Sequence, residues 1–229
     1  TLESSSAASD VYKRQGTTLR FAAAAGANYE SPGDAGTNNE YVVVVTATDT
    51  GANAVAQTIT ITIQDVNEFS PEFGDGDTAT ATPNENQQAV GTYAATDADG
   101  SATQTYSILT AAQNAASVDH DLFSVGAGGV LAFSSAPDFE TPGCGAGDNS
   151  NTCAVVIQVT DGANTDTITV TVNVQDVNEA APVFTAGETG TSTPNEGTTA
   201  AGTFAATDTD GTATQTYSIL TAAQNAASV

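Results

Sequence analysis

Basic residues are nearly absent from this sequence of 229 residues. Three Lys and Arg stand against 27 Asp and Glu, which gives a formal net charge of −24 at pH 7. Such a surface repels phosphates, so DNA, RNA and anionic membrane surfaces are disfavoured as partners. The charge suits divalent cations or a salty medium, although high acidity can also serve solubility alone.

Tryptophan and methionine are absent, and aromatic residues make up only 6% of the chain. The abundance of Thr, Val, Ala and Gly favours β structure over a helical bundle. No apolar run is long enough to cross a bilayer, so we predict no transmembrane helix and no direct membrane insertion of this segment. The length allows one to three domains.

An internal repeat organises the chain. The stretch ATQTYSILTAAQNAASV at 102–118 recurs letter for letter at 213–229. The acidic phrase Asp65-Val66-Asn67-Glu68 recurs 111 positions later as Asp176-Val177-Asn178-Glu179, and a Pro-x-Phe follows each copy. The sequence is therefore a window on a tandem array.

These recurrences set the predicted domain boundaries. We expect the C-terminal half of one repeat at 16–65, a complete repeat at 66–176 and the N-terminal half of a further repeat at 177–229. Residues 1–15 match none of these and resemble translated adaptor sequence, so we set them aside as non-native or disordered.

Short β-rich segments separated by Gly or Asp fill the repeats. We predict strands at Tyr41–Thr48, Thr58–Ile63, Thr92–Thr96, Gln104–Leu109, Leu122–Val125, Val130–Phe133, Ala154–Thr160 and Thr167–Val174. The glycine-rich stretch Gly126–Gly129 predicts a hairpin turn. Strict alternation from Ile168 to Val174 predicts a strand with one packed face. About seven strands per repeat indicate an all-β fold of Ig-like β-sandwiches.

Clustered carboxylates suggest a cation site where repeats meet. Ca²⁺ takes roughly six to eight oxygen ligands, more than any single turn of this sequence offers. Oxygens from a loop, a strand end and a linker can supply them only at the pole of a sandwich. Asp97 and Asp99 are too close to ionise comfortably without a cation between them. An isolated Asp-x-Asp also commonly caps a turn, and that alternative stays open.

The order of the acidic motifs resembles the cadherin repeat over residues 16–229. The motifs are Asn84-Glu85-Asn86, Asp97-Ala98-Asp99, Asp138-Phe139-Glu140, Asp161 and the linker Asp176-Val177-Asn178-Glu179. The resemblance implies tandem Greek-key, cadherin-type sandwiches, the first and last truncated, with Ca²⁺ at each junction between repeats.

The resemblance also implies two ligand sets. The first junction would use Glu30, Asp65, Asn67, Glu68, Asp97, Asp99 and Asp161. The second would use Glu85, Asp138, Glu140, Asp176, Asn178, Glu179, Asp208, Asp210 and the backbone carbonyl of Val177. Both linkers continue with Glu and then Phe or Ala, where the family usually has Asp-Asn, which places one outer ion in doubt. Asn28 stands where the family prefers Asp, so the first junction is expected to be the weaker.

Cys144 and Cys153 are the only cysteines and lie in a Gly/Asp/Asn-rich loop. A disulfide is favoured over free thiols if the chain is secreted. A two-cysteine metal site is disfavoured because no third soft ligand is near.

The resemblance implies an extracellular or cell-surface adhesion or stalk segment, stiffened by Ca²⁺ and capable of homophilic cell adhesion. Its partners would be other cell-surface proteins or copies of itself. The alternative is a passive Ca²⁺-stiffened spacer in a large secreted enzyme or glycan-binding surface protein. Paired carboxylates also occur in glycosidases, but here they sit at domain poles without an aromatic platform, so we expect no enzyme activity.

Overall fold

The computed structural model describes residues 12–15, 18–21, 27–100, 103–145, 147–210 and 214–220. The strands are β1 Tyr12–Gln15, β2 Thr18–Phe21, β3 Glu40–Thr48, β4 Ala54–Thr62, β5 Glu72–Phe73, β6 Thr78–Ala81, β7 Ala89–Thr92, β8 Ala95–Thr96, β9 Thr105–Ile108, β10 Phe123–Val125, β11 Val130–Phe133, β12 Thr152–Thr160, β13 Thr165–Asn173, β14 Val183–Phe184 and β15 Ala206–Thr207. Two 3₁₀ turns cover His120–Leu122 and Ala127–Gly129.

The predicted all-β class is confirmed, because the described residues contain strands and 3₁₀ turns but no α-helix. Within those residues, nothing helical has the length and apolar character needed to span a membrane.

Two compact units make up the chain. The first comprises the described residues of Thr1–Glu72, Thr96–Gln104 and Thr160–Asp166. The second comprises those of Phe73–Ala95, Thr105–Val159 and Thr167–Val229. The boundaries of the repeats given above remain predictions.

The core of the second unit lies on β12 and β13. These strands occupy the centre of a four-stranded sheet with the order β6-β13-β12-β9, in which β6 runs parallel to β13. Val155, Ile157, Ile168 and Val170 are fully buried. The alternation predicted from Ile168 onward is confirmed, since the inward residues are buried and those between them are partly exposed. Burying such a side chain stabilises the fold by roughly 1.5–3 kcal/mol.

A second, three-stranded sheet has the order β10-β11-β7. β10 and β11 form the predicted hairpin, with Phe123 opposite Phe133 and their rings stacked at 4.6 Å. Leu131 on β11 is 1% exposed and joins the same hydrophobic cluster as the residues of β12 and β13. The two sheets therefore share one core, as a sandwich requires.

The strand predicted at Thr92–Thr96 is wrong in its extent. β7 ends at Thr92, and β8 pairs instead with β5. Between them the Tyr93 amide donates to the Gly129 carbonyl at 2.9 Å. Gly129 has φ +76°, and a Cβ placed there would lie 1.8 Å from the Tyr93 carbonyl oxygen. The chain thus changes sheets at a backbone contact that only glycine permits.

In the first unit, β3 and β4 form an antiparallel hairpin with Glu40 opposite Thr62 and Thr48 opposite Ala54. β4 therefore begins four residues before the strand predicted at Thr58. Tyr41 is buried and its ring meets that of Phe21 edge-on at 5.3 Å. The hairpin ends at Thr62, three residues before Asp65, where the acidic linker begins.

Candidate metal centres

Acidic side chains converge at two places, one in each unit. The first acidic group consists of Glu30, Glu68 and Asp99, which each contribute a carboxylate oxygen within 4.8 Å of the others. The second acidic group consists of two overlapping sets under the same limit, Glu85, Glu140 and Asp176, and Glu140, Glu179 and Asp210. Every member belongs to a predicted ligand set.

The backbone positions Asp99 in the first acidic group. β8 ends just before Asp97, whose Oδ1 accepts the Asp99 amide at 2.9 Å. Asp99 Oδ2 accepts the amide of Phe69 in the linker at 2.7 Å, and the residue is 1% exposed. The Asp-x-Asp motif therefore caps its own turn and also aims a buried carboxylate at the linker, while its role as a metal ligand remains a prediction.

Several oxygens around Asp99 are buried without a hydrogen-bond donor among the described residues. They are both carboxylate oxygens of Glu30, Oδ2 of Asp97 and Oδ1 of Asp99. Burying a charged oxygen without a partner costs several kcal/mol, and native proteins rarely tolerate it. A cation with oxygen ligands would satisfy all of them together.

Asn67 and Asp161 complete the oxygen lining of the first acidic group. The side-chain oxygen of Asn67 accepts a long bond of 3.4 Å from Asn164 Nδ2 and otherwise faces acceptors. Turned over, its amide nitrogen would donate to Asp161 Oδ2 at 2.9 Å and to Asp99 Oδ2 at 3.2 Å. When a cation lies among these groups, the Asn67 side chain is more stable with its oxygen facing Asp99 and Asp161. When no cation is present, the orientation with the nitrogen facing them is more stable.

Asp161 is positioned by the turn between β12 and β13. Its Oδ1 accepts the amides of Ala163 and Asn164 at 2.7 and 2.6 Å. The Asn164 amide, with smaller contributions from Ala163 and side-chain bonds, lowers the pKa of the Asp161 carboxyl. The lowered pKa favours the ionised carboxylate, and its second oxygen accepts only a long bond of 3.3 Å from Asn164 Nδ2.

Crowding of like charge marks both groups. Loss of water around Glu68, together with the charges of Glu30, Asp99 and Asp65, raises the pKa of the Glu68 carboxyl. Desolvation and then the charges of Glu85, Glu179 and Asp176 raise the pKa of the Glu140 carboxyl. Each carboxyl resists ionisation because it has lost water and because its neighbours are anionic, and a bound cation would offset both effects.

Glu85 joins two segments of the second acidic group. It is 2% exposed, and its two oxygens accept the amides of Phe139 at 2.7 Å and Val177 at 2.8 Å. The Glu85 amide in turn donates to the Gln175 carbonyl at 3.0 Å. One buried carboxylate therefore fixes the Asp138–Glu140 motif against the linker that carries Asp176.

The second acidic group repeats the geometry of the first. Asp208 Oδ1 accepts the Asp210 amide at 3.1 Å, and Asp210 Oδ2 accepts the Ala180 amide at 2.8 Å. Asp210 is 1% exposed, as is Asp99. The same Asp-x-Asp turn thus holds the linker at both places, which a chance cluster of surface acids would not do.

Some predicted ligands lie outside these contacts. Asp138 is exposed and its Oδ1 accepts the Thr141 amide at 3.0 Å, within its own turn. Asn178 is exposed. The amide of Val177 contacts Glu85, while the role of its carbonyl remains a prediction.

The predicted ligand sets leave out four asparagines near the groups. Asn164 donates to the Phe69 carbonyl at 2.7 Å, and Asn86 to Glu179 Oε1 at 3.0 Å. Asn39 and Asn151 each contact the residue preceding a clustered glutamate, Tyr29 and Phe139 respectively. The available signal was positional, because Asn39 and Asn151 both directly precede a long strand, β3 and β12.

The donors fit Ca²⁺. Both groups offer carboxylate oxygens from several segments, the amide of Asn67 lies beside the first group, and neither group contains His or Cys. Hard oxygen donors in number suit Ca²⁺ better than the softer transition metals.

Cys144 and Cys153 form a disulfide, and both residues are buried. The bond closes the loop between the Asp138–Glu140 motif and β12.

No protein-family profile matches the chain, and no curated protein sequence matches it either. Solved structures do. The chain is similar to Drosophila N-cadherin EC1–4, at 18% identity and a TM-score of 0.54, over 76% of this chain and 40% of that one. It is similar to human Protocadherin-24 EC1–2, at 14% identity and a TM-score of 0.54, over 76% of this chain and 81% of that one.

Mouse Protocadherin-24 EC1–3 matches at 18% identity with a TM-score of 0.52, over 88% of this chain and 64% of that one. A structure of Protocadherin Gamma B2 domains 1–5 is matched over only 28% of its length. The likenesses to N-cadherin and to the two Protocadherin-24 structures show the fold, which is that of the cadherin extracellular repeat.

Proposed function

From this cadherin-repeat fold we propose that the chain is a calcium-stiffened segment of an extracellular adhesion or stalk protein. The observation that carries the proposal is the convergence of linker and pole carboxylates, once around Asp99 and again around Asp210. Each group combines an acidic linker with an Asp-x-Asp turn and with a glutamate from a preceding loop.

The chain's residues divide the work of binding. Asp99 and Asp210 anchor the linkers through backbone amides and present their carboxylates to the cation. Glu30 and Glu140 close the groups from the side of the preceding loop, and Glu85 holds the second linker in place. Bound Ca²⁺ supplies the positive charge that offsets the repulsion among these carboxylates.

Stiffening follows from how far apart the ligands lie in the sequence. The first acidic group and its neighbours draw on Glu30, the linker at 65–68, the turn at 97–99 and the turn at Asp161. A cation bound by all four restrains the linker between one repeat and the next, and without it like-charge repulsion loosens the linker. The adhesion partners would be other surface proteins or further copies of the chain.

Calcium-dependent melting and bead aggregation test the two levels of the proposal. We expect thermal unfolding of the chain to shift upward in millimolar Ca²⁺ relative to chelator, while equal ionic strength from Na⁺ gives no such shift. An unchanged melting temperature would refute calcium binding. Beads coated with the chain should aggregate only with Ca²⁺. Bead aggregation that is independent of Ca²⁺ would refute calcium-dependent homophilic adhesion. So would the absence of aggregation when Ca²⁺ does raise the melting temperature. In either case the proposal of a calcium-stiffened stalk would still stand.

A further inference from the structure

Asn39 and Asn151 occupy the same position relative to the two acidic groups. Asn39 Nδ2 donates to the Tyr29 carbonyl at 2.9 Å, and Asn151 Nδ2 donates to the Phe139 carbonyl at 2.9 Å. These carbonyls belong to the residues directly before Glu30 and Glu140. Each asparagine therefore holds the backbone that presents one clustered glutamate.

The backbone carbonyls of the same asparagines hold the linkers. The Asn39 carbonyl accepts the Ile63 amide at 3.0 Å, and the Asn151 carbonyl accepts the Val174 amide at 2.9 Å. Ile63 and Val174 each lie two residues before the first aspartate of a linker. One residue thus ties the glutamate-bearing loop to the linker, and it does so in both units.

The two asparagines are themselves held by different chemistry. In the first unit Asp34 accepts the amides of Gly36, Asn38 and Asn39 at 3.0, 3.1 and 3.1 Å, so a carboxylate folds the loop that ends at Asn39.

In the second unit a covalent bond folds the loop that contains Asn151. Cys144 and Cys153, nine positions apart in the sequence, close it, and the Cys144 amide donates to the Ser150 carbonyl at 3.0 Å. Buried Asp119 adds bonds at 2.8 Å to the amides of Gly145 and Ala154. The disulfide therefore limits where Asn151 can lie.

We propose that Asn39 and Asn151 are positioning residues for the two cation sites, and that the disulfide acting through Asn151 makes the second site sensitive to reduction while the first site is not. This inference rests on the proposed calcium binding. When the disulfide is opened, Asn151 can move away from Phe139 and no longer holds the backbone before Glu140. Binding a cation must then also order Glu140, and the entropy lost in that step lowers the affinity. Partners outside the ligand shell typically change metal affinity by about 10–100-fold.

Reduction by a dithiol balances without any further reactant. Two electrons and two protons pass from the dithiol to the Cys144 and Cys153 sulfurs, which become thiols, and the dithiol closes to a cyclic disulfide. Both cysteines are buried, so complete reduction must be verified by thiol counting.

The test is a site-resolved Ca²⁺ titration of the whole chain by amide NMR. The Phe69 amide, bonded to Asp99, reports the first site, and the Ala180 amide, bonded to Asp210, reports the second. After dithiothreitol we expect the dissociation constant at Ala180 to rise about tenfold and that at Phe69 to stay unchanged. Asn151→Ala, with the disulfide intact, should reproduce the shift at Ala180, and Asn39→Ala should shift Phe69 alone.

The outcomes separate this inference from the proposal on which it rests. If both sites bind Ca²⁺ and neither reduction nor Asn151→Ala weakens the second site selectively, the positioning role is refuted while calcium binding stands. If both reporters weaken together after reduction, the effect is global loss of structure and the inference is refuted. If neither amide responds to Ca²⁺ in the oxidised chain, both ideas fail.

Discussion

Replacing Asp99 by Asn should change stability in opposite directions with and without calcium. Asp99 is buried, and one of its oxygens accepts the Phe69 amide, a bond that Asn can keep. Its other oxygen has no donor among the described residues and lies in a group whose oxygens are within 4.8 Å of one another. At that separation and an effective dielectric constant of about 20, Coulomb repulsion with Glu30 is about 3.5 kcal/mol. Screening and relaxation reduce this, so we take about 1–2 kcal/mol as released by Asp99→Asn in chelator.

In calcium, the wild type should be more stable than Asp99→Asn. A site filled at about one hundred times its dissociation constant adds about 2.7 kcal/mol to the wild type. Asp99→Asn removes a charged ligand and forfeits that gain at the first site. At about 2–4 °C per kcal/mol for a chain of this size, the variant should melt roughly 2–8 °C above wild type in chelator and below it in Ca²⁺.

Differential scanning fluorimetry in chelator and in millimolar Ca²⁺ measures both signs. Asp121→Asn is the matched control, because Asp121 is 92% exposed and belongs to neither acidic group. Asp210→Asn should show the same reversal at the second site. If Asp99→Asn lowers the melting temperature in chelator and leaves the calcium shift intact, Asp99 is an ordinary turn cap and our reasoning is wrong.

Three further predictions concern pH, packing and proteolysis. The pKa of the Glu68 and Glu140 carboxyls is raised, so protons compete with calcium at a higher pH than they do at ordinary carboxyls. Calorimetric Ca²⁺ affinity should therefore begin to fall above the pH at which ordinary carboxyls protonate, and an affinity that stays constant down to that pH would contradict this. In chelator a fall in pH should have the opposite effect, on stability. The Glu68 and Glu140 carboxyls bind protons more tightly in the folded chain than in the unfolded chain, so the free energy of unfolding should increase as pH falls through their raised pKa. In denaturant titrations, Gly129→Ala should lower the free energy of unfolding by about 2–4 kcal/mol, because the added Cβ would collide with the Tyr93 carbonyl. A loss below about 0.5 kcal/mol would show that the fold does not need the close approach of Gly129 to Tyr93. A glutamate-specific protease should cut after exposed Glu68 and Glu179 in chelator and much more slowly in Ca²⁺. Cleavage after exposed Glu188, which belongs to neither acidic group, should proceed at the same rate in both conditions. Equal protection at all three sites would argue against a local effect of Ca²⁺.

The motifs that meet in the acidic groups were predictable because each is short, continuous and acidic. Asp97 and Asp99, for example, need only a two-residue spacing to cap their own turn and to place Asp99 in the first acidic group. The asparagines at 39 and 151 were not predictable in the same way. A single Asn before a strand resembles any turn residue, and its importance comes from contacts with Tyr29 and Phe139, which only the folded chain brings near.

The duplicated sequence shows a second limit. Thr105–Leu109 and Thr216–Leu220 have identical letters. The first copy forms β9 beside β12, and Leu109 is 8% exposed. The second copy forms no strand, with Leu220 50% and Ile219 98% exposed. Local sequence sets the tendency to extend, and a partner strand decides whether the segment becomes part of a sheet.

The same limit explains the error at Thr92–Thr96. Five residues of good strand propensity were predicted as one strand, but the Tyr93 amide bonds to Gly129 and the chain passes from one sheet to the other. A partner that is distant in the sequence overrode a local preference.

Anomalous scattering from crystals grown in Ca²⁺ would locate any bound metal ions. We expect metal peaks within about 2.3–2.6 Å of carboxylate oxygens from Glu30 and Asp99 at one place and from Glu85 and Asp176 at the other. Carboxylates that point apart, with no metal between them at saturating Ca²⁺, would contradict this expectation.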